Sequence, residues 1–317
     1  MATEKLSEQD FISMFEAIGP SAMARQLGSD PSVILGRRRR LEHKLGVAIV
    51  PPESNYERTQ TEEFPGRLTL EVKNGTVLIG SDLHAWPGEF STAFRAFLKL
   101  TKDLKPRAVI MNGDVIDGAS ISRHPPLGWE KRPALIDELE AAQEALMKVE
   151  QAAGRGTPLY WPVGNHCARF STRLATVAPE YAKVHGTKLK DHFSPRWQPC
   201  YSVWINDDVV VKHRFRGGDH ATWNNTIRSG KSIVTGHLHS LRVTPYTDYG
   251  PKTRYGVDCG MLANVHGPQF GYLEDNPVNW RAGFAVLTFR DGLLLWPEVV
   301  QVLDPQTVEF RGRVLSV

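Results

Sequence analysis

Val77-Leu78-Ile79-Gly80-Ser81-Asp82-Leu83-His84 decides how this chain is read. An apolar run rich in β-branched residues ends on two small residues, and Asp82 and His84 follow with one residue between them. The pattern is that of a buried strand releasing a carboxylate and an imidazole at its carboxyl end. Residues two apart in an extended segment point the same way, so the pair can converge on one cation. An isolated Asp-x-His is weak evidence. Its weight comes from four later strand ends that behave alike.

Outward from this stretch, strands and helices alternate from Arg67 onward. Leu68–Val72 and Val77–Ile79 flank Asn74-Gly75, which predicts a hairpin. A helix follows with Phe90, Phe94, Phe97, Leu98, Thr101 and Leu104 on one face, a core pattern rather than a binding stripe. The strand Ala108–Met111 ends in Asn112-Gly113-Asp114-Val115-Ile116-Asp117. A long helix burying Leu135, Leu139, Ala142, Leu146 and Val149 leads to a strand at Thr157–Val163, which delivers Gly164-Asn165-His166. Tyr201–Ile205 and Val209–Lys212 pair across Asn206-Asp207, and the second ends at His213. Lys231–Thr235 ends in Gly236-His237-Leu238-His239. Further strands are predicted at Tyr255–Asp258 and Phe284–Phe289, with Asp291-Gly292 turning into Leu293–Trp296.

Five strand ends thus present Asp82 and His84, Asp114 and Asp117, Asn165 and His166, His213, and His237 and His239. Ligands of open α/β sheets collect at the carboxyl ends of strands. Any one of these residues could be a hydrogen-bonded loop residue; the whole set is hard to explain by packing. Imidazole mixed with carboxylate and amide oxygens suits Mn²⁺, Fe or Zn²⁺ better than Mg²⁺. Seven ligand groups exceed the needs of one ion, and two divalent ions about 3.5–4 Å apart sharing a carboxylate would use them all.

In this order the motifs Asp-x-His, Gly-Asp-x-x-Asp, Gly-Asn-His, His and Gly-His-x-His resemble those of the calcineurin-like metallophosphoesterases, over roughly residues 76–240. The resemblance implies an α/β fold, a four-layer αββα sandwich with a dinuclear site on one edge. It implies Asp82, His84 and His239 on the first metal, Asp114 as the bridge, and Asn165, His213 and His237 on the second. His166 matches the catalytic histidine, and Asp117 would orient it or a ligand. Mn²⁺ is favoured for both ions, with Fe, Zn²⁺ and Ni²⁺ compatible. Two cations would lower the pKa of a bridging water so that hydroxide exists near neutral pH, and a protonated His166 would serve the leaving group as general acid. Two departures from the family pattern stand out. Gly118-Ala119 replaces the arginine that protein phosphatases carry after Gly-Asp-x-x-Asp, and Cys167 replaces an acidic residue after Gly-Asn-His. Losing the arginine removes a bidentate grip on a phosphate monoester. Arg214 follows His213 where many members have glycine. Arg169, Arg173, Arg214 and Arg216 stand near site residues in sequence and are candidates for flanking phosphates, as His124 and His220 are for the channel wall. Cys167 is read as a small buried residue, not a nucleophile.

Residues 1–50 read as a separate three-helix domain. Ser7 caps a helix with Phe11, Phe15 and Ile18 inward; Gly19 stops it; Pro20 starts a short helix closed by Gly28. A third helix opens at Pro31, turns Val33, Ile34, Leu41 and Leu45 inward, and ends at Gly46. This resembles a helix-turn-helix unit. Its last helix carries Arg37, Arg38, Arg39, Arg40 and Lys44, the candidate nucleic-acid contacts. From residue 25 to 44 six basic residues face two acidic ones, a local balance of 6 − 2 = +4. Residues 51–66 mix proline, glycine and charge as a linker, and 67–317 form the catalytic domain.

The 317 residues carry a net charge of only +3, so the case for a polyanionic partner is local. The three cysteines are widely spaced and fit reduced thiols in a cytoplasmic protein. No run approaches the roughly 20 apolar residues of a membrane span, and the first residues lack a signal-peptide core. Taken together, the features predict a metal-dependent phosphodiesterase that hydrolyses nucleic acid, DNA favoured, of the nuclease or phage-borne branch. The alternative is a phosphomonoesterase or cyclic-nucleotide phosphodiesterase whose N-terminal unit mediates association, including homo-oligomerisation. A DNA-binding regulator with a vestigial phosphoesterase fold is disfavoured by the intact ligand set.

Overall fold

A computed structural model describes residues 6–47, 49, 64–88, 90–182, 184–250 and 252–317. The chain divides into two compact units, Met1–Gln60 and Thr61–Val317. The expected linker at 51–66 lies largely outside the described residues.

In the first unit, α1 (Glu8–Leu27) starts where Ser7 accepts a hydrogen bond from Asp10 N, and its course breaks at Gly19, φ 72° and ψ 171°. The two segments flanking that break and α2 (Pro31–Leu45) give the three helical stretches expected, with Asp30 capping α2 and Pro31 at its start. Phe11, Phe15, Met23, Ala24, Ile34, Leu41 and Ile49 form the core. Three expected inward residues are exposed instead: Ile18, Val33 and Leu45. Each sits at a helix end or beside the break, where two short helices offer too little partner surface to cover a full apolar face.

The second unit contains β1 (Arg67–Leu70), β2 (Gly75–Gly80), α3 (Thr92–Leu104), β3 (Ala108–Met111), α4 (Leu135–Ala153), β4 (Leu159–Pro162) and α5 (Cys167–Val177). Then come β5 (Trp197–Cys200), β6 (Ser202–Ile205), β7 (Val209–Val211), α6 (Ala221–Ser229), β8 (Ser232–Thr235), β9 (Arg242–Tyr246) and β10 (Arg254–Asp258). The chain closes with β11 (Gly283–Arg290), β12 (Leu293–Leu294), β13 (Glu298–Asp304), β14 (Thr307–Phe310) and β15 (Arg313–Ser316).

These strands make two sheets. One runs β1-β6-β7-β8-β10-β9; the other runs β15-β14-β13-β11-β2-β3-β4-β5, with β12 on β11. Val77, Ile79, Ile110, Ala285 and Leu287 of the larger sheet pack against Val203, Ile205, Val211, Val234 and Val257 of the smaller. On the outer face of the larger sheet, Leu78, Val109 and Met111 meet Phe94 and Phe97 of α3 and Leu139, Ala142 and Leu146 of α4. On the smaller sheet α6 packs over β8, β9 and β10. The approach is close: a Cβ on Gly256 would run into the Thr222 backbone. Helix, sheet, sheet, helix: the four layers are those expected. Because both faces of β2 and β3 are covered, Val77–Gly80 and Ala108–Met111 read as continuous apolar runs rather than alternating ones.

The Asn74-Gly75 hairpin does not form. β1 pairs in parallel with β6 in the smaller sheet, whereas β2 pairs in parallel with β3 and antiparallel with β11 in the larger. Residues 71–74 cross between sheets instead. Asn206 holds the crossing by accepting from Val72 N at 2.7 Å and donating to Val72 O at 2.8 Å. The turns at Asn206-Asp207 and Asp291-Gly292 do form, joining antiparallel pairs. Their central residues all have positive φ, as tight hairpin turns require.

Candidate metal centre

β2, β3 and β4 lie side by side in one sheet, and β7, β8 and β10 in the other. Their carboxyl ends bring the candidate ligands to one edge. After β2 the backbone does not continue as a strand: Asp82 has φ 53° and His84 φ 41°. The extended i, i+2 geometry expected of this pair is therefore replaced by two left-handed kinks. Asp114, His237 and His239 share that conformation, at φ 48°, 70° and 56°. Left-handed backbone is costly for residues with a Cβ and persists where surrounding structure enforces it, commonly at functional sites. Here Asp82 N, His84 N and Ala85 N donate to Gly113 O, Asp114 O and Val115 O at 2.9–3.1 Å, locking two ligand loops together.

Two groups of side chains converge. In one, Asp82, His84 and His239 bring ligand atoms within 4.8 Å of one another; in the other, Asp114, His213 and His237 do the same. Asp82 Oδ1 lies 3.1 Å from His239 Nε2, 3.7 Å from His84 Nε2 and 4.0 Å from His213 Nε2, so the two groups adjoin. His213 Nε2 is 2.9 Å from Asp114 Oδ2. Its Nδ1 donates to Asn112 O at 2.7 Å, so Nε2 is the nitrogen that would coordinate an ion on giving up its proton. The second carboxylate oxygens are held from behind, Asp82 Oδ2 by His237 N at 2.9 Å and Asp114 Oδ1 by His166 N at 2.7 Å. Gly164 and Gly236 permit this closeness, since a Cβ on either would overlap the carboxylate of Asp114 or of Asp82.

The donor set fits divalent cations. His84 Nε2, His213 Nε2, His239 Nδ1 and Asn165 Oδ1 are buried with no hydrogen-bond partner among the described residues. Orphaned buried groups of this kind are expensive unless something binds them. Burial works against charge on His84, yet the hydrogen bond to Asp117 and the neighbouring Asp82 and Asp114 carboxylates outweigh it and lift its pKa to about 10. Burial likewise opposes charge on His213, and the Asp114 and Asp82 carboxylates raise it to about 9. Without metal, protons occupy the place of cations, and a bound ion displaces them.

Asp117 stands behind this cluster. Its Oδ1 lies 2.9 Å from His84 Nδ1 and 3.1 Å from His166 Nδ1, and its carbonyl lies 2.9 Å from the latter. One carboxylate therefore orients both a candidate ligand and the candidate catalytic histidine. Arg169, one turn further along α5, donates to Asp117 O at 2.8 Å and to His166 Nε2 at 3.2 Å. Of the four arginines near the motifs it reaches the cluster; Arg173, Arg214 and Arg216 are exposed. Cys167 is buried, accepts from Val115 N, and has its thiol pushed up to about 12 by burial, which suits packing and not nucleophilic chemistry.

Four supporting residues escaped the sequence reading. Glu138 is fully buried and accepts from Gly118 N at 2.5 Å and Ala119 N at 3.0 Å, fixing the loop after Asp117. Asp258 accepts from Ser240 N at 3.1 Å and Gly260 N at 3.0 Å, fixing the loop after His239. Phe270 and Trp280 form an aromatic collar, their rings 5.3 Å from His84 and 4.5 Å from His239. The acidic residues gave no motif. Residues 260–280 are rich in glycine, asparagine and aromatics, a composition that fits an irregular wall but does not say which rings face the imidazoles.

In the helical unit the basic run is partly engaged by its own fold. Arg37 lies over Phe11 at 4.7 Å and donates to Leu6 O at 2.6 Å; Arg38 pairs with Glu42 at 3.3 Å; Lys44 pairs with Glu8 at 2.7 Å. Arg39 and Arg40 are exposed.

Fold and site define a metal-dependent phosphoesterase. The family model for calcineurin-like phosphoesterase matches residues 75–241, and the chain belongs to that family. It is 35% identical over 252 residues to the Gene 54 protein of Mycobacterium phage L5, covering 70% of this chain and 92% of that one. To the Gene 54 protein of Mycobacterium phage D29 it is 29% identical over 230 residues, covering 66% and 87%. Among solved structures, zinc-complexed Vps29 from Entamoeba histolytica aligns with a TM-score of 0.40 at 14% identity, covering 76% of this chain and 98% of that chain. Yfce, a phosphoesterase from E. coli, aligns at 0.32 and 14%, covering 70% and 97%. No helix among the described residues is long and apolar enough to cross a membrane.

Proposed function

We propose that this phosphoesterase is a phosphodiesterase acting on nucleic acid, most simply a DNA nuclease, with two divalent ions, Mn²⁺ favoured. The observation that carries the reading is the convergence of Asp82, His84 and His239 beside Asp114, His213 and His237, with Asn165 Oδ1 buried and unpartnered. These seven would hold the ions. When bound, such a pair supplies Lewis acidity and a water made nucleophilic near neutral pH.

The chain's own residues do the rest. Asp117 holds His166 through Nδ1, so Nε2 is the nitrogen turned to the leaving oxygen; as the imidazolium, with Arg169 moved off it, Nε2 gives up a proton there. Arg169 shares that nitrogen at 3.2 Å and can turn onto a phosphate oxygen once substrate arrives. Gly118 and Ala119 supply no arginine after Asp117; Glu138 takes their N–H groups instead. That arrangement favours a diester over a monoester. The exposed Arg39 and Arg40 of α2 support contact with a nucleic-acid backbone. Phage relatives support a phage-encoded enzyme working in a host cytoplasm.

Purified protein with Mn²⁺ should cut plasmid DNA and turn over bis-p-nitrophenyl phosphate far faster than the monoester. Preference for p-nitrophenyl phosphate with DNA left intact would overturn the reading in favour of a phosphomonoesterase.

A further inference from the structure

We propose that the cavity beside His166 is a nucleobase subsite, taking the base of the nucleotide whose phosphate lies at the metal-binding cluster; this rests on the nucleic-acid reading above. The cavity measures about 550 Å³ and is lined by Trp86, Tyr272, Leu127 and Pro268 together with Gln269, while Asp117, His166 and Arg169 also line it. It therefore opens directly onto the groups that would handle the phosphate. Its volume falls within the roughly 300–1,000 Å³ typical of small-molecule sites.

The lining is chemically specific. Of the cations in this wall, Arg132 is already engaged: it donates to Ala119 O, His124 O and Pro125 O at 3.1–3.2 Å and pairs with Glu130 at 2.8 Å; Arg169 sits against His166, and Lys131 is exposed. Those bonds pin the 119–130 loop, so the wall is preformed and Arg132 is spent on it. Flat aromatic and apolar surfaces stand beside one amide, with Ser122, His124 and Lys131 on the same wall. Gln269 Oε1 is buried without a partner among the described residues, and its Nε2 makes only a 3.5 Å contact with His84 O. An amide can both accept and donate, as the edge of a base requires. Indole and phenol rings give every base a stacking surface. A planar heterocycle with polar edges, joined to a phosphate, satisfies all of these groups at once.

Calorimetric titration of the full-length, Mn²⁺-loaded chain tests this with thymidine 5′-monophosphate, deoxyribose 5-phosphate and inorganic phosphate. The nucleotide should bind about tenfold or more tighter than the sugar phosphate, the scale of one stacked base. Tyr272→Ala and Trp86→Leu should each collapse that ratio towards unity, while Tyr272→Phe preserves it. Trp223→Ala, which alters an exposed indole on α6, should leave it unchanged. Equal affinity for nucleotide and sugar phosphate, or a ratio indifferent to both Tyr272→Ala and Trp86→Leu, would sink the proposal. Plasmid cleavage by the same preparation separates the two readings. DNA cut with nucleotide and sugar phosphate bound equally removes the subsite and keeps the nuclease; a nucleotide preference without cleavage keeps the subsite as a mononucleotide site and removes the nuclease.

Discussion

Arg37 in the helical unit lies over Phe11 at 4.7 Å and gives a hydrogen bond to Leu6 O, while His84 Nε2 and Asn165 Oδ1 in the phosphoesterase unit are buried without a hydrogen-bond partner among the described residues. Both regions concentrate polar side chains within a short span of sequence. They differ in what fixes direction. Consecutive residues on a helix turn about 100° apart, so Arg37 to Arg40 circle most of the axis and cannot share one face. Some must serve the fold. Residues at the carboxyl ends of neighbouring parallel strands are aimed at one edge by the sheet itself, whatever the intervening loops do. A motif at strand ends is thus a better guide to a site than a charge run on a helix.

The sharpest break in this comparison is Asp114→Ala, which removes a carboxylate central to the second group. Turnover of bis-p-nitrophenyl phosphate should fall by well over about 100-fold, beyond the range of residues that only support ligands. Bound metal, read by elemental analysis, should fall with it. Retained metal and activity would dissolve the contrast, leaving an edge no more committed than the helix.

Asp117→Asn should act next most strongly, lowering activity or metal affinity about 10- to 100-fold. Both imidazoles face Oδ1, which an amide still offers but without the charge that strengthens both bonds, so His84 and His166 should lose orientation together. Isothermal titration with Mn²⁺ and steady-state kinetics on one preparation would reveal loss of one effect without the other.

Glu138 offers a pH test at a buried carboxyl outside the ligand groups. Burial pushes its pKa up to about 7, the Asp117 charge pushes the same way, and the N–H groups of Gly118 and Ala119 pull against them. Because the folded value is raised, its contribution to stability is complete below the unfolded value near 4.5 and is lost as pH rises through about 7. Thermal denaturation should show the wild type losing more stability between pH 5 and pH 8 than Glu138→Gln. Parallel pH profiles would show that this carboxyl does not titrate with folding.

The smallest effect belongs to the helical unit. The Arg39→Ala/Arg40→Ala double variant should weaken DNA binding and reduce the slope of log affinity against log salt by about 2, near 0.9 per lost phosphate contact. Arg37→Ala should instead lower the unit's melting temperature, since its guanidinium covers Phe11. If Arg37→Ala changes the salt slope and the double variant does not, the division of the run into structural and exposed arginines is wrong.

Much of the catalytic unit was legible because both faces of its central strands are covered. Val77–Gly80 and Ala108–Met111 are unbroken apolar runs and Ser232–Thr235 is a buried run flanked by hydroxyls, and each leads within three residues to a ligand. The hairpin at Asn74-Gly75 was misread because local turn chemistry cannot report which sheet a strand joins. Asn206, more than a hundred residues away, settled that by bonding both backbone groups of Val72. The terminal meander from β13 to β15 was passed over, although its Asp304–Thr307 and Arg311-Gly312 turns left a signal. Glu138 and Asp258 had none, since their bonds are to backbone N–H groups of distant loops.

By itself the sequence determined the alternation of strands and helices, the strand ends that carry ligands and the residue types offered there, because burial and turn chemistry act over a few neighbouring residues; the four layers came with the resemblance of the motifs. Tertiary structure alone decided that Asp82 and His84 meet through left-handed kinks, that Asp117 serves two imidazoles, and which arginines remain free. Those outcomes depend on contacts between segments far apart in the chain, where the positions of several backbones are solved together.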